Sequence, residues 1–255
     1  MRSMSIVSDH PIPVVLITGA AARIGAALAS DLHAQGYRVV LHCNRSLDRA
    51  AALAGKLNAL RPDSARVVQA DLLDTSQVVR LASEALGCWG RLDVLVNNAS
   101  SFYPVALADL TEPDWVSLMH SNAKAPLFLC RELFPALTTT GGCVLNLIDS
   151  TALQGLAGYT PYAMAKAALA NMTFSLAREL APRVRVNGIS PGIILWPENR
   201  SAMTEEEKAE ALQHTALKRM GSVEDITAAA LFLIREASYV TGQVIRVDGG
   251  AALAG

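Results

Sequence analysis

Short apolar runs alternate with helical patterns along almost the whole chain, and this alternation limits the folds open to it. The runs place Val, Leu and Ile in succession, without the polar residue at every second position that a half-exposed strand needs. Strands buried on both faces are typical of a parallel sheet covered by helices, so we predict an α/β fold: one doubly wound domain, residues 1–255, with about seven parallel strands. The predicted strands are residues 14–17, 37–42, 65–70, 92–96, 143–148, 184–189 and 243–247.

Helical patterns fill most of the segments between these runs. The longest, residues 112–137, is expected to break near Pro126, because proline lacks the N–H group that a helix interior needs. Another predicted helix carries Tyr162 and Lys166 and ends near Leu180. Residues 1–12 are interpreted as a flexible tail, and residues 198–214 as a polar, charged insertion. The remaining predicted helices are residues 26–35, 47–60, 75–86 and 223–235.

Composition excludes several kinds of partner and site. The net charge of −1 gives no electrostatic basis for binding nucleic acid or a membrane surface, and no apolar run is long enough to cross a membrane. The start of the chain lacks the apolar segment of a signal peptide. The four cysteines and five histidines show no metal-site spacing and no disulfide framework. We therefore expect a cytoplasmic protein without a metal, in which Cys130 and Cys143 are small core residues.

Asp149, Tyr162 and Lys166 form the candidate catalytic group. Tyr162 and Lys166 are four residues apart in a segment rich in helix-forming residues, so they share one helix face. An ammonium group close to a phenol favours the phenolate, and we expect Lys166 to lower the pKa of Tyr162. Asp149 follows a predicted strand, and open α/β sheets place their chemistry where strands end beside helix starts. Such a Tyr–Lys pair also occurs by chance on exposed helices, so this interpretation depends on the other motifs.

A turn after the first predicted strand is typical of the dinucleotide site of a Rossmann fold. Gly19 and Gly25 lie between that strand and a helix, where a pyrophosphate meets backbone N–H groups and the positive end of the helix dipole. Two of the three expected glycines are present, and Arg23 takes the middle place. A cation at a helix N-terminus is unfavourable, so we expect an anion there. Gly19 and the segment Arg23-Ile24-Gly25 are therefore assigned to cofactor binding.

The residues after the second predicted strand distinguish NADP from NAD. A carboxylate there would bind the ribose 2′-hydroxyl of NAD, but residues 42–47 contain no acid. His42, Arg45 and Ser46 stand there instead, and a guanidinium group with a hydroxyl suits a 2′-phosphate. The alternative is an ordinary polar loop. We expect NADPH as the cofactor, held in part by these three side chains.

Together these features resemble the short-chain dehydrogenase/reductase family over residues 14–250. The resemblance rests on motifs in the order of the family: Thr18-Gly19 with Arg23 and Gly25, Asp71-Leu72, Asn97-Asn98-Ala99, Asn122, Tyr162 with Lys166, Pro191-Gly192 and Asp248-Gly249-Gly250. It implies that Lys166 holds the nicotinamide ribose, and that Asn122 holds a water or a backbone kink behind Lys166. It also implies cofactor contacts from Asp71, Leu72, Asn98, Ala99, Ser100, Tyr162, Lys166, Pro191 and Gly192.

Departures from the family pattern resemble its pteridine reductase branch. Asp149 stands thirteen residues before Tyr162, where the family usually has serine, and Ser100 follows Asn97-Asn98-Ala99, where it usually has glycine. Similarity to the branch also rests on Arg23, residues 42–46, residues 97–104 and residues 194–197. This resemblance implies NADPH, a pterin substrate, a homotetramer and a substrate loop at residues 194–215.

The same resemblance implies a set of substrate-binding residues. Phe102 is expected to stack on one face of the flat pterin ring. Asp149 is expected to supply the proton that reduction of a C=N bond adds to nitrogen. Phe102 could instead pack on the core, Trp196 could only anchor its loop, and Asp149 could only cap the Tyr162 region. The implied set is Arg23, Ser100, Phe102, Asp149, Tyr162 and Trp196.

Two other functions stay open at this point. The chain could be a carbonyl or 3-oxoacyl reductase of the same fold, although Asp149 and the Phe102 loop argue against it. It could also be a non-catalytic sensor that binds NADP(H), although Tyr162, Lys166 and Asn122 argue against that.

Overall fold

Seven parallel strands form one sheet in the computed structural model, which describes residues 11–150, 152–196 and 203–253. The strand order is β3-β2-β1-β4-β5-β6-β7, and every neighbouring pair is parallel. The predicted α/β doubly wound fold is therefore confirmed, with strand ends within a few residues of those predicted. The strands are β1 (Val14–Ile17), β2 (Arg38–Cys43), β3 (Ala65–Gln69), β4 (Val94–Asn97), β5 (Cys143–Leu147), β6 (Arg185–Pro191) and β7 (Val244–Val247).

Helices cover both faces of the sheet, as the continuous apolar strands require. Val15 and Ile17 of β1 belong to one buried cluster, with residues of α1 and α8. Val14 and Leu16 belong to a second cluster on the opposite face, with residues of α3 and α5. The helices are α1 (Arg23–Ala34), α2 (Leu47–Leu60), α3 (Thr75–Trp89), α4 (Glu112–Met119), α5 (Ala125–Thr140), α6 (Thr160–Glu179), α7 (Glu205–Gln213) and α8 (Val223–Leu231).

The predicted interruption lies just before Pro126, but the proline does not cause it. A π-helical turn, His120–Lys124, joins α4 to α5, and the N–H group of Ala125 donates to the carbonyl of His120. Pro126 then falls in the first turn of α5, where its missing N–H group costs little. A second π-helical turn, Phe232–Glu236, extends α8, and the predicted helix end at Arg235 falls in the last residues of this turn.

The polar insertion contains one regular element, α7. Thr204 caps it, accepting from the backbone N–H of Glu207 while the Glu207 side chain accepts from the backbone N–H of Thr204. Pro197 and residues 198–202, which belong to the predicted substrate loop, lie outside the described residues, as does most of the predicted tail.

The cysteines of the chain are free thiols. Cys130 and Cys143 are buried, as predicted for core residues. Across the ranges given above, the side chains form no group of three or more His, Cys, Asp and Glu residues that could hold a metal ion. None of the helices within those ranges is long and apolar enough to cross a membrane.

Candidate active site

The carboxyl ends of the central strands bring the predicted site residues to one edge of the sheet. The strand order reverses beside β1, whose neighbours are β2 and β4, and this switch point is where doubly wound sheets bind ligands. The loops after β1, β2, β4, β5 and β6 all leave the sheet at this edge, because every strand runs in the same direction. The predicted motifs, which are dispersed in the sequence, therefore lie on adjacent loops.

Tyr162 and Asp149 form a direct hydrogen-bonded pair. The Tyr162 hydroxyl donates to Oδ2 of Asp149 at 2.7 Å, and Oδ1 of Asp149 accepts from the backbone N–H of Ala152 at 3.1 Å. The neighbouring Ser150 is 1% exposed, and its hydroxyl has no hydrogen-bond partner among the described residues. Asp149, and not Ser150, is thus the side chain that meets the phenol.

Lys166 lies beneath the phenol on the same face of α6. Its ammonium donates to the carbonyl of Leu147 at 2.8 Å and lies 5.8 Å from the centroid of the Tyr162 ring. Burial lowers the pKa of Lys166 to about 8, against an opposing effect of Asp149. The lysine therefore loses its proton at a lower pH than an exposed lysine does.

The predicted effect of Lys166 on the phenol was wrong. The pKa of Tyr162 is raised well above its ordinary value, first by burial, then by the charge of Asp149 and by the hydrogen bond to it. Each of these disfavours a phenolate, because the anion would be desolvated and would face a second anion. Tyr162 is therefore a protonated phenol at neutral pH, which suits a proton donor.

Asn122 lies inside the π-helical turn between α4 and α5. Its Nδ2 donates to the carbonyls of Ser101 and Leu118, both at 2.9 Å, and so ties the loop after β4 to the turn. Its Oδ1 is buried without a hydrogen-bond partner among the described residues. The family resemblance implies that Asn122 holds a water or a backbone kink, and the backbone at this residue forms a π-helical turn.

The turn between β1 and α1 is held tightly against the end of β4. The hydroxyl of Thr18 accepts from the backbone N–H groups of Asn98 and Ala99, both at 3.0 Å. Nδ2 of Asn98 donates to the carbonyls of Thr18 at 2.8 Å and Gly19 at 3.2 Å. A Cβ on Gly25 would lie 2.3 Å from the Gly19 carbonyl oxygen, so this position accepts only glycine.

This turn fits the phosphates of a dinucleotide. Gly19 has φ +64°, a left-handed conformation that favours glycine, and α1 begins at Arg23 with its first N–H groups directed at the turn. The N-terminal turn of α1 contains no acidic residue that would repel an anion. Gly19, Arg23, Ile24 and Gly25 thus form one backbone-lined turn, as predicted.

His42 does not lie where the sequence prediction placed it. Its imidazole is 2% exposed and is bonded to backbone groups, so it faces into the protein and away from a 2′-phosphate. Arg45 and Ser46 do lie at the surface, and Ser46 precedes the first residue of α2. Two of the three predicted phosphate ligands are therefore accessible at the end of β2.

Asp71 and Leu72 follow β3 on the outer side of the same edge. Oδ1 of Asp71 accepts from the N–H group of Leu73 at 2.9 Å, so the carboxylate shapes the turn before α3. The side chain of Leu72 is buried in the core. Pro191 and Gly192 end β6, and a Cβ on Gly192 would lie 2.6 Å from Cα of Asp248.

Aromatic rings lie against the pair formed by Tyr162 and Asp149. Phe102 stacks on Tyr159, with centroids 4.8 Å apart and planes 16° apart, and meets Tyr162 edge-on at 4.9 Å. Phe102 is 38% exposed, so its ring forms part of the surface above the pair. Ser100, two residues earlier, is also exposed. Phe102 therefore lies at the catalytic group and not in the core.

The loop after β6 reaches the start of α1. The Arg23 guanidinium donates to the carbonyl of Trp196 at 3.4 Å, and the ammonium of Lys208 lies 5.9 Å from the centroid of the Trp196 ring. Arg23 has φ +54°, which is unusual for a residue with a side chain. Arg23, Trp196 and α7 thus come together at one side of the site.

Sequence reasoning assigned no site role to two residues that shape the site. Thr18 supplies the hydroxyl that holds the loop after β4, and Tyr159 supplies the ring on which Phe102 stacks. Both stand close to predicted residues in sequence: Thr18 precedes Gly19, and Tyr159 lies three residues before Tyr162. A search for polar and aromatic side chains beside the motif residues would have found them.

Comparison with known proteins gives matches over nearly the whole chain. A family model described as enoyl-(acyl carrier protein) reductase matches residues 19–252. Pteridine reductase 1 from Leishmania tarentolae is 39% identical over 281 aligned residues, which cover 94% of this chain and 96% of that protein. The 3-oxoacyl-acyl-carrier-protein reductase FabG from Staphylococcus aureus is 33% identical over 238 residues, covering 92% and 96%. The chain is similar to both kinds of reductase, so similarity alone leaves the substrate undecided.

Proposed function

Because the chain belongs to the short-chain dehydrogenase/reductase family, we propose that it is an NADPH-dependent pteridine reductase that acts on a C=N bond of a dihydropterin. The observation that carries this proposal is the hydrogen bond between Asp149 and Tyr162. A ketone oxygen needs a hydroxyl to steady it, whereas a C=N nitrogen must gain a proton and keep it. A carboxyl beside a protonated phenol suits the second requirement.

Four side chains have separate roles in the proposed reaction. When bound, NADPH supplies the hydride that goes to carbon. The Tyr162 hydroxyl, oriented by its hydrogen bond to Asp149, gives a proton to the nitrogen, and a proton from solvent then restores the phenol. Lys166, whose pKa burial lowers to about 8, holds the nicotinamide ribose and fixes the position of Tyr162. Asn122 steadies the loop after β4 beside this group.

The proposed cofactor is NADPH. Nicotinamide cofactor use follows from the family, and the choice of NADPH rests on Arg45 and Ser46 at the surface after β2, with no acid from residue 42 to residue 47. A guanidinium group and a hydroxyl can both donate to a 2′-phosphate. We expect kcat/KM for NADPH to exceed that for NADH by at least about tenfold, since one charge-assisted contact contributes about 1.5–3 kcal/mol.

The proposed substrate is a flat aromatic ring. Phe102 offers a partly exposed aromatic ring in edge-on contact with Tyr162, and Ser100 offers a hydroxyl on the same loop. Arg23 and Trp196 close the other side. A dihydropterin has the shape and the hydrogen-bonding groups for these side chains, and dihydrobiopterin, dihydromonapterin and dihydrofolate are the candidate substrates.

A carbonyl or 3-oxoacyl reductase is the second candidate. The similarity to the 3-oxoacyl-acyl-carrier-protein reductase FabG favours it. The two candidates differ at Asp149, because a carboxylate repels the developing oxyanion of a reduced ketone.

NADPH oxidation with the three dihydropterins and with a 3-oxoacyl thioester tests these candidates. We expect kcat/KM for at least one dihydropterin to exceed that for the thioester by about 100-fold or more. The reverse ratio would make the chain a 3-oxoacyl reductase. Cofactor binding without turnover of any substrate would favour a sensor.

The proposed assembly is a homotetramer in the cytoplasm. Large apolar side chains are exposed on α5 and α6, where Leu127, Phe134, Met164 and Phe174 are between 43% and 48% exposed. Leu127 and Phe134 are seven residues apart and so share one face of α5, which a second copy could cover. Free thiols suit a reducing compartment. Light scattering on the purified protein would give the number of subunits.

A further inference from the structure

Both nitrogens of the buried His42 imidazole are engaged by backbone groups. Nδ1 lies 3.1 Å from the backbone nitrogen of Gly19, in the turn after β1. Nε2 lies 3.1 Å from the carbonyl oxygen of Ala70, which follows β3. One side chain near the end of β2 thus joins the loops of the two strands that flank it.

The protonation of the ring follows from these partners. A backbone N–H group can only donate, so Nδ1 must accept from Gly19, and a carbonyl can only accept, so Nε2 must carry the proton. Burial lowers the pKa of His42 to about 4, against the opposing effects of the Ala70 carbonyl and Asp71. The imidazole is therefore neutral at physiological pH, with a single tautomer.

Gly19 is consequently held from both sides. Its N–H group donates to His42, and its carbonyl accepts from Nδ2 of Asn98 on the other flank. The N–H group of the next residue, Ala20, donates to the His42 carbonyl at 2.9 Å. The orientation of the Gly19 peptide therefore depends on side chains from both strands beside β1.

We propose that His42 is a positioning residue for the dinucleotide, which fixes the turn after β1 in the conformation that receives the pyrophosphate. The imidazole faces inward and does not contact the 2′-phosphate, so its effect is the same for NADPH and NADH. Through Ala70 it also ties this turn to the loop of Asp71 and Leu72, two further residues for which the family resemblance implies cofactor contacts. The inference rests on dinucleotide binding and not on the identity of the substrate.

Two substitutions at His42 each keep one of the two hydrogen bonds of the imidazole and remove the other. In His42→Asn, the side-chain oxygen can replace Nδ1 as the acceptor for Gly19, while the bond to Ala70 is lost. In His42→Gln, the side-chain nitrogen can replace Nε2 as the donor to Ala70, while the acceptor for Gly19 is lost. His33→Asn is the matched control, because His33 is also buried but bonds to Ser64, remote from this turn.

Dissociation constants for NADPH and NADH, measured by fluorescence, test the inference without turnover. His42→Gln should weaken both cofactors by a similar factor of about ten, because a buried N–H group loses its acceptor. His42→Asn should bind both cofactors almost as tightly as the unsubstituted protein, because Gly19 keeps an acceptor. His33→Asn should leave both dissociation constants within about twofold of the original. Arg45→Ala should instead weaken NADPH much more than NADH.

Hydrogen exchange and NMR give readouts that do not depend on activity. The Gly19 amide should exchange slowly in the free protein and in His42→Asn, and rapidly in His42→Gln. The ring nitrogens of His42 in the unsubstituted protein should show the Nε2-protonated tautomer, which can be measured even if a variant does not fold. Three outcomes would overturn the inference. They are an Nδ1-protonated ring, unchanged cofactor affinity in His42→Gln, and a loss of affinity in His42→Gln for NADPH alone. Absence of dihydropterin reduction would overturn the proposed substrate alone.

Discussion

The two ends of the sheet differ in how fully their polar side chains are hydrogen-bonded. At the amino end, Asp93 accepts from the backbone N–H of Val14 at 2.8 Å and pairs with Arg91, whose Nε and Nη2 both donate to it. At the carboxyl end, four buried side-chain atoms have no hydrogen-bond partner within the described ranges: Asn97 Oδ1, Asn122 Oδ1, Ser150 Oγ and Ser190 Oγ. Nε of Arg61 is the exception away from that end.

This difference indicates that the amino end of the sheet contributes mainly to stability and the carboxyl end mainly to function. A buried polar atom without a partner costs about 1–3 kcal/mol, so an end that holds several of them is not optimised for stability. The same end holds the two strongly perturbed groups of the catalytic site: the pKa of Lys166 is lowered by burial and that of Tyr162 is raised by burial and Asp149. Substitutions at the carboxyl end should therefore change function more than stability, and substitutions at the amino end should do the opposite.

Tyr162→Phe should have the largest effect on function. The ring is kept, so its contacts with Phe102 persist, while the proton donor is lost, and we expect kcat on a dihydropterin to fall by about 1,000-fold. NADPH affinity by fluorescence and the free energy of unfolding should change little. A kcat equal to that of the unsubstituted enzyme would show that the phenol does not donate the proton.

Asp149→Asn should have the next largest effect. The shape is preserved but the carboxyl group is not, so we expect kcat/KM for a dihydropterin to fall by about 100-fold, with nearly unchanged NADPH affinity. Asp149→Ser introduces the residue that the family usually has, and its kcat/KM for a dihydropterin should fall by a similar factor. Unchanged turnover by Asp149→Asn would make Asp149 a structural residue, and the pterin assignment would then depend on Phe102 and Arg23.

Lys166→Met should make the protein more stable and inactive. Burial lowers the pKa of Lys166 from 10.5 to about 8, so the folded state carries its charge at a cost near neutral pH. Removing the charge should raise the free energy of unfolding by about 2 kcal/mol at pH 7, after the loss of the hydrogen bond to Leu147.

The pH dependence of stability provides the control for that substitution. The unfolded lysine keeps its proton to a higher pH than the folded one, so the unfolded state binds more protons above about pH 8. The free energy of unfolding of the unsubstituted protein should therefore rise between about pH 8 and 10, and that of Lys166→Met should not. Urea titrations of both proteins at several pH values would show whether their free energies of unfolding become more similar as the pH rises.

The sequence predicted the fold better than the orientation of side chains. Continuous apolar runs identify buried parallel strands, because only a sheet covered on both faces tolerates them, and the order of strands and helices then leaves few topologies. The motifs also placed Asp149, Tyr162 and Lys166 together, because the end of a strand and the start of the following helix are close in such a fold. These predictions depend on periodicity and connectivity, which are local in the sequence.

The orientation of His42 and the pKa of Tyr162 depend on contacts between distant residues. On a strand that is buried on both faces, alternation does not tell which side chain near its end turns toward solvent, and His42 turned inward to Gly19 and Ala70. The pKa of Tyr162 depends on how deeply the phenol is buried and on its contact with Asp149, and burial is the larger cause of the raised value. The stacking of Phe102 on Tyr159 likewise joins two loops that are separate in the sequence.

Asp93→Asn tests the amino end and should have the smallest effect. Asparagine can still accept from the N–H group of Val14, but the charge that pairs with Arg91 is lost, and hydrogen bonds to charged groups exceed neutral ones by about 1 kcal/mol. We therefore expect the free energy of unfolding to fall by about 1 kcal/mol, while kcat/KM per folded molecule stays within about twofold. A drop in kcat/KM comparable with that of Asp149→Asn, at unchanged stability, would show that the two ends are coupled. A loss of stability with full activity would confirm that the amino end supports the fold and the carboxyl end carries the chemistry.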